Sequence, residues 1–330
     1  FRRSDYERSG SADSWKLGLN WQVLNDLRLR ATKSRDAREP TFSELFDAQG
    51  TNGQIMDPLY NGKAYEISVT RGGNPNLAPE QANTLTAGVI WSPSFSFLDG
   101  LQVSVDWFDV QVEGSVALLG AQRFVDECRN NSQSSLCNYI VFNSSNEVNR
   151  VLDTYQNVAQ ARVRGVDYEV AYRREPDFFA GQTESLSVRA LAGFVAERSD
   201  TPEGGTPRDV AGGLATPELT GVLTTSYNVG PWGLSMQGRF TDKSLITTTW
   251  TEGVEVDKNT VPSYTYWSST FSYKGETSNG ASWRVGLNIQ NVFDKRPSAV
   301  PSSASERFAS QRFTGDLYGR RYNLNVNYSF

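Results

Sequence analysis

The residues best placed to do chemistry are two cysteines, Cys128 and Cys137, the only ones among 330 residues. They bracket a polar stretch rich in Asn and Ser, close enough along the chain to favour a local disulfide in an oxidising compartment. Closing a loop of about ten residues stabilises the folded state by roughly 2–3 kcal/mol on a chain-entropy basis. A metal or redox pair would need further ligands, and the chain contains no histidine. That absence removes the commonest general base and the commonest transition-metal ligand, and it argues against haem capture by the loops. The sequence has no Gly-x-Ser-x-Gly turn, no phosphate-binding glycine loop and no metal cluster. Asp106 and Asp109 lie close together, but strand alternation accounts for them. The expectation is a protein that binds and is not an enzyme, with no catalytic residue, no metal site and no cofactor.

The elements that position these residues are strands. Apolar and polar residues alternate along the whole chain, as they do in half-buried β-structure. Residues 322–330 show it best: Tyr322, Leu324, Val326, Tyr328 and Phe330 share one face, and Asn323, Asn325, Asn327 and Ser329 share the other. A greasy face, an amide-rich face and a terminal aromatic fit the closing strand of an outer-membrane barrel, with lipid outside and water inside. Ten earlier segments behave alike, at residues 15–21, 27–32, 85–91, 101–107, 166–172, 186–194, 219–227, 232–240, 264–273 and 283–289. Alternation in the segment 264–273 is blurred. Residues 1–6 read as the tail of a further strand.

The connections alternate between short and long. Residues 22–26, 92–100, 174–184, 228–231 and 275–281 are short links; 34–80, 113–161, 199–216, 242–262 and 292–318 are long ones. Short periplasmic turns facing longer extracellular loops are the pattern of antiparallel membrane barrels. Residues 148–157 have some strand character, but a membrane strand there would break the parity, so they belong to an extracellular extension. A soluble β-sandwich also alternates, but its loops do not sort by parity. A mean hydropathy of −0.49 excludes a helical membrane protein and leaves a barrel open. The net charge of −5 argues mildly against nucleic acid as a partner. The expected fold is all-β, an antiparallel transmembrane β-barrel with about eleven strands in this chain.

Five stretches, in order, resemble the C-terminal barrel of TonB-dependent outer-membrane receptors. Residues 27–46 look like that family's strand and loop entry, with Arg38, Pro40, Glu44, Leu45 and Phe46 in place and Glu39 inserted after Arg38. Asn74-Pro-Asn-Leu-Ala-Pro-Glu80 resembles the segment that opens the next strand. Arg164-Gly-Val-Asp-Tyr168 resembles a strand start, Asn288-Ile-Gln-Asn-Val-Phe-Asp-Lys295 a strand end, and Gly319-Arg-Arg-Tyr322 the closing strand. These residues read as architecture rather than ligand contacts: prolines force extended geometry, Gly165 suits a bulge, and Asn291 and Asp294 suit a turn.

The resemblance implies a 22-stranded barrel filled by an N-terminal plug, of which the chain would be the second half, residues 1–330 forming one barrel part. It implies uptake of a scarce nutrient, such as a ferric siderophore or oligosaccharide, coupled to the TonB complex. The partners it implies are outer-membrane lipid, the plug, the TonB complex, the barrel-assembly machinery and the nutrient. A passive porin-like channel and a soluble β-rich carbohydrate-binding protein remain as alternatives. Phe46, Tyr60, Tyr65, Trp250, Phe308 and Phe313 lie in the long connections and are candidates to stack on a sugar or catecholate ring. Arg71, Lys243, Lys258, Arg307 and Arg312 are candidates to meet an anionic chelate, with loop packing as the competing role for each. Arg28, Arg30, Arg239, Arg284 and Arg321 are expected to face the lumen.

Overall fold

The computed structural model describes residues 1–330 except 7–9, 61–63, 158–159, 202–205, 255, 279 and 299–314. Twelve strands hydrogen-bond in chain order into one antiparallel sheet. They are Arg2–Tyr6, Gly10–Leu24, Leu27–Arg38, Glu80–Trp91, Leu101–Glu113, Gln160–Arg174, Glu184–Thr201, Leu219–Val229, Trp232–Thr241, Tyr264–Glu276, Ser282–Gln290 and Arg321–Ser329. The two-residue strand Arg208–Asp209 pairs beside Glu184–Thr201. All eleven expected strands are present, and the expected tail is the first strand.

Several strands outrun the sequence pattern. Residues 34–38, expected in a loop, continue Leu27–Arg38 and pair with Glu80–Trp91 up to Arg38↔Glu80. Residues 160–161 and 199–201 likewise belong to strands and pair with each other. Main-chain hydrogen bonding does not depend on side-chain polarity, so a strand persists where its apolar face has ended. At Gly165 the register slips by one residue against Glu184–Thr201. The Phe108 ring and the Phe194 carbonyl sit where a Gly165 Cβ would be, so this bulge has no room for a side chain.

The sheet does not bury its apolar face. Leu17 is 72% exposed, Leu19 60%, Leu324 68% and Val326 66%. The buried core lies in the two longest connections instead. There, strands Ala48–Met56, Ala64–Gly72, Val148–Thr154 and Ile140–Phe142 form a separate four-stranded sheet. Val148–Thr154 runs parallel to Ala64–Gly72, with Val151 opposite Val69, so residues 148–157 do belong to an extension beyond the main sheet. Helix Ala121–Asn130 packs on this sheet through Phe124, Val125 and Cys128, which meet Ile55, Ile67 and Val151 in one cluster. We call this unit the cap. No helix among the described residues is long and apolar enough to cross a membrane.

Candidate functional site: the polar wall and its cap

The face opposite the apolar one is charged and internally paired. Arg30 grips the Asp106 carboxylate with Nε at 2.6 Å from Oδ1 and a second bond from Nη2. The pair reaches across Gly88, which stands between them in register. A Cβ at Gly88 would strike that carboxylate, so the missing side chain makes the bridge possible. Arg189 holds Glu169 at 2.8 Å on the same face, whereas Arg162 with Asp109 at 2.9 Å and Arg164 with Glu197 at 3.0 Å pair on the other face, past the end of its apolar row, since Asp109 stands opposite Leu85 in register. All five arginines expected on this face share it. Arg28 donates to Gln22 at 2.9 Å, Arg239 to Gln237 at 3.0 Å and Arg321 to Asp316 at 3.0 Å. Arg284 lies opposite Lys274 and Asn327 in register.

The residues of the sequence motifs join the cap to the wall. Arg38, at the end of its strand, binds Glu80 at 2.7 and 2.8 Å and Glu44 at 2.9 and 3.1 Å. Glu44 closes a capping box with Thr41, starting the short helix Phe42–Phe46. Burial works against ionisation of Glu44, but bonds from Arg38 and Thr41 outweigh it and hold its carboxyl below the usual range. Asn74 donates to the Tyr155 carbonyl at 3.0 Å, tying the start of the next strand to the second long connection. At the far edge, Asn291 and Asp294 adopt left-handed backbone, with φ of 49° and 51°. Asp294 accepts from the Arg320 backbone N–H at 2.8 Å, so the motifs at 288–295 and 319–322 meet.

Two fully buried carboxylates organise the cap. Asp57 accepts from Arg129 Nε at 3.1 Å and Nη2 at 2.7 Å, and from the Leu59 backbone N–H at 3.1 Å. Asp153 accepts from Gly120 N–H at 3.0 Å and pairs with Arg71 at 3.3 Å. Cys128 and Cys137 form the expected disulfide, with a Cα–Cα distance of 5.0 Å, fastening helix Ala121–Asn130 to the turn Ser135–Tyr139. Replacing both cysteines with serine is expected to lower cap stability by roughly 2–3 kcal/mol, read by hydrogen exchange in the helix.

The helix also carries a pH-sensitive group. Burial pushes the Asp126 carboxyl above the ordinary carboxylate range, against a 2.7 Å bond from Gln122 and the nearby Arg123 and Arg208 guanidiniums. An acid with a raised folded pKa contributes stability below its unfolded pKa, and that contribution is lost as pH rises through the folded value. Asp126→Asn is therefore expected to stabilise the cap at pH 7. The difference should vanish near about pH 3, where the wild-type carboxyl is itself neutral. Amide exchange of the helix at both pH values checks this.

The remaining candidates are dispersed. Phe46 stacks on Phe42 with centroids 5.0 Å apart. Tyr60 ends the turn Pro58–Tyr60. Tyr65 faces inward: its hydroxyl accepts from the Val148 N–H at 3.1 Å and reaches Asp57 at 3.4 Å. Arg71 is engaged by Asp153. Trp250 is half-buried in the loop after Trp232–Thr241, and its carbonyl accepts from Asn259 at 2.8 Å. Lys243 and Lys258 are exposed. Arg307, Phe308, Arg312 and Phe313 lie outside the described residues. Sequence reasoning missed the Asp57–Arg129 and Arg71–Asp153 pairs, because their partners are far apart in the chain.

An antiparallel wall with one apolar and one ion-paired face, covered at its long-loop end by a folded cap, defines a large β-barrel of the membrane type. The model of the TonB dependent receptor-like beta-barrel family matches residues 1–292, and the chain belongs to that family. Heme/hemopexin utilization protein C of Haemophilus influenzae (strain 86-028NP) is 25% identical over 289 residues, covering 84% of this chain and 33% of that protein. The fold matches the siderophore receptor PirA of Acinetobacter baumannii at a TM-score of 0.62 and 17% identity, over 98% of this chain and 42% of that one. It matches the ferric enterobactin receptor PfeA of Pseudomonas aeruginosa at 0.64 and 16% identity, over 98% and 41%. The chain thus spans about a third of the curated relative and about two fifths of these solved receptors.

Proposed function

We propose that the chain is part of the barrel of an outer-membrane receptor that imports a scarce nutrient in a TonB-dependent manner. The nutrient class is a ferric siderophore or an oligosaccharide. The observation that carries this reading is where the protein puts its apolar surface. A sheet that leaves Leu17, Leu19, Leu324 and Val326 exposed, while its cap has a closed core, requires hydrocarbon on one side. Membership of the TonB-dependent family supports the energy-coupled part of this reading. The twelve-stranded sheet has unpaired outer edges at Arg2–Tyr6 and Arg321–Ser329 among the described residues, and hydrocarbon does not tolerate open edges. Further barrel strands and a plug, supplied from outside this chain, complete the receptor. The ion-paired wall faces the plug, and residues 322–330 are the signal read by the barrel-assembly machinery.

The membrane assignment predicts an asymmetry between faces. Leu17→Arg, on the apolar face, is expected to cost about 2–4 kcal/mol, whereas Asn325→Arg on the polar face, opposite Gly286, should be nearly neutral. Refolding titrations into lipid vesicles measure both. For the function, cells carrying the intact receptor should accumulate its nutrient only while TonB is present. Uptake that continues unchanged without TonB would mean a passive channel instead.

A further inference from the structure

At the end of the wall away from the cap, two short links fold back onto the sheet. Residues 92–100 and 175–183 join strands that are neighbours in the sheet order. In the first link the Phe97 carbonyl accepts from the Tyr172 hydroxyl at 3.1 Å. Tyr172 belongs to the apolar face, opposite Leu101 and Val188. In the second link the Phe179 backbone N–H donates to Glu184 at 2.6 Å. Glu184 stands opposite Val229, also on the apolar face, and accepts from the Tyr227 hydroxyl. Both links are thus pinned against the lipid side of the wall, and they present Phe95, Phe97, Phe178 and Phe179, all exposed. A phenyl ring has no polar atom, unlike the Tyr and Trp that usually mark a membrane boundary, so this cluster calls for apolar contact.

Between the two links lies a cavity of about 690 Å³, lined by Asp99, Arg173, Arg174 and Glu175. The Arg173 N–H donates to the Gly100 carbonyl at 2.9 Å, holding the links together. Arg173 stands opposite Ser187 on the polar face and Arg174 opposite Leu186 on the apolar one. The cavity therefore lies across the end of the wall, where both faces meet water. Further up the wall, Arg30 and Arg189 meet their carboxylates directly. Here, among the described residues, none of the four charged side chains has an ion-pair partner, and Arg174 donates only to the Tyr172 hydroxyl, at 3.4 Å. Two cations and two anions around one space, kept apart, match a ligand that itself carries both signs. We propose that the cavity seats the headgroup of a zwitterionic phospholipid, its phosphate on Arg173 and Arg174 and its amine on Asp99 and Glu175. The four phenylalanines take its acyl chains and continue the apolar face. The lipid is a phosphatidylethanolamine, because a primary ammonium donates hydrogen bonds to carboxylates and a trimethylated one has no N–H to give. The assignment rests on the membrane reading of the wall.

Native mass spectrometry of the intact receptor tests the seat, with the protein stripped of lipid in detergent and titrated with one lipid at a time. Phosphatidylethanolamine should be held about tenfold more tightly than phosphatidylglycerol or phosphatidylcholine with the same chains, the size of one charge-assisted contact. Arg173→Ser with Arg174→Ser should remove that preference. Asp99→Asn with Glu175→Gln leaves two cations, so it should turn the preference toward phosphatidylglycerol, a gain that misfolding does not produce. Phe178→Ser with Phe179→Ser should weaken retention of all three lipids. Glycerophosphoethanolamine, the headgroup without chains, should fail to displace the lipid at equal concentration. Equal retention of the three lipids by the wild type, or unchanged selectivity in either charge variant, overturns the seat. So does full retention by the phenylalanine variant, or displacement by the chainless headgroup. The membrane reading is judged separately, by refolding into vesicles of phosphatidylcholine alone. Insertion there without lipid selectivity in detergent sinks the seat and leaves the membrane reading standing, whereas failure to insert sinks the membrane reading itself.

Discussion

Arg129→Ala is expected to destabilise the cap by about 3–5 kcal/mol, the usual cost of removing one partner from a buried ion pair. Asp57 is fully buried and receives two bonds from this guanidinium. Without it, Asp57 retains the Leu59 amide and the Tyr65 hydroxyl, too little to solvate a charge out of water. Arg129 also donates to the Asn146 carbonyl at 3.0 Å and lies over the Phe142 ring at 4.8 Å, so two further segments loosen with it. Hydrogen exchange should show fast amides in Ala64–Gly72, Val148–Thr154 and helix Ala121–Asn130, with the main sheet unchanged. Asp57→Asn with Arg129→Met should recover much of the loss, because it removes the charge as well as its partner. Failure of this double variant to recover stability would mean that packing by the Arg129 stem matters more than charge.

Phe124→Ala is expected to cost about 3–5 kcal/mol by cavity formation. Phe124 has no exposed surface and sits at the centre of the only large buried cluster among the described residues. Its ring meets Tyr139 at 5.7 Å, so the cavity would open toward the turn that the disulfide anchors. The cap is small, and a loss of this size is a large share of any single domain's stability. Protease should then cut the cap at concentrations that leave the wild type intact, while the main sheet survives. Simultaneous loss of the main sheet would show that cap and wall fold as one unit.

These predictions fall on a part of the protein that the sequence did not reveal. Strand existence and the two-sided wall were legible, because a period of two written over seven or more residues needs no knowledge of neighbours. Tyr322 to Phe330 shows this, as does the run from Leu101 to Trp107. The disulfide was legible because its partners are local. The cap was not, since its strands are short, partly parallel and paired across distant segments: Arg150 meets Ser68, and Asp57 meets Arg129. No local period marks such contacts.

The blurred alternation at 264–273 lies between the two cases. Tyr264 and Tyr266 put aromatic rings on the polar face, and that pattern break was visible from the residues alone. By itself the sequence determined the strand order, the two faces, the parity of the connections and the Cys128–Cys137 bridge, all products of local spacing and covalent proximity. The tertiary structure alone decided that the longest connections fold into a cored cap, that Arg38 clamps Glu44 and Glu80, and that two short links fold back onto the apolar face. Those arrangements depend on which distant residues the sheet register brings together, and register is a property of the whole wall.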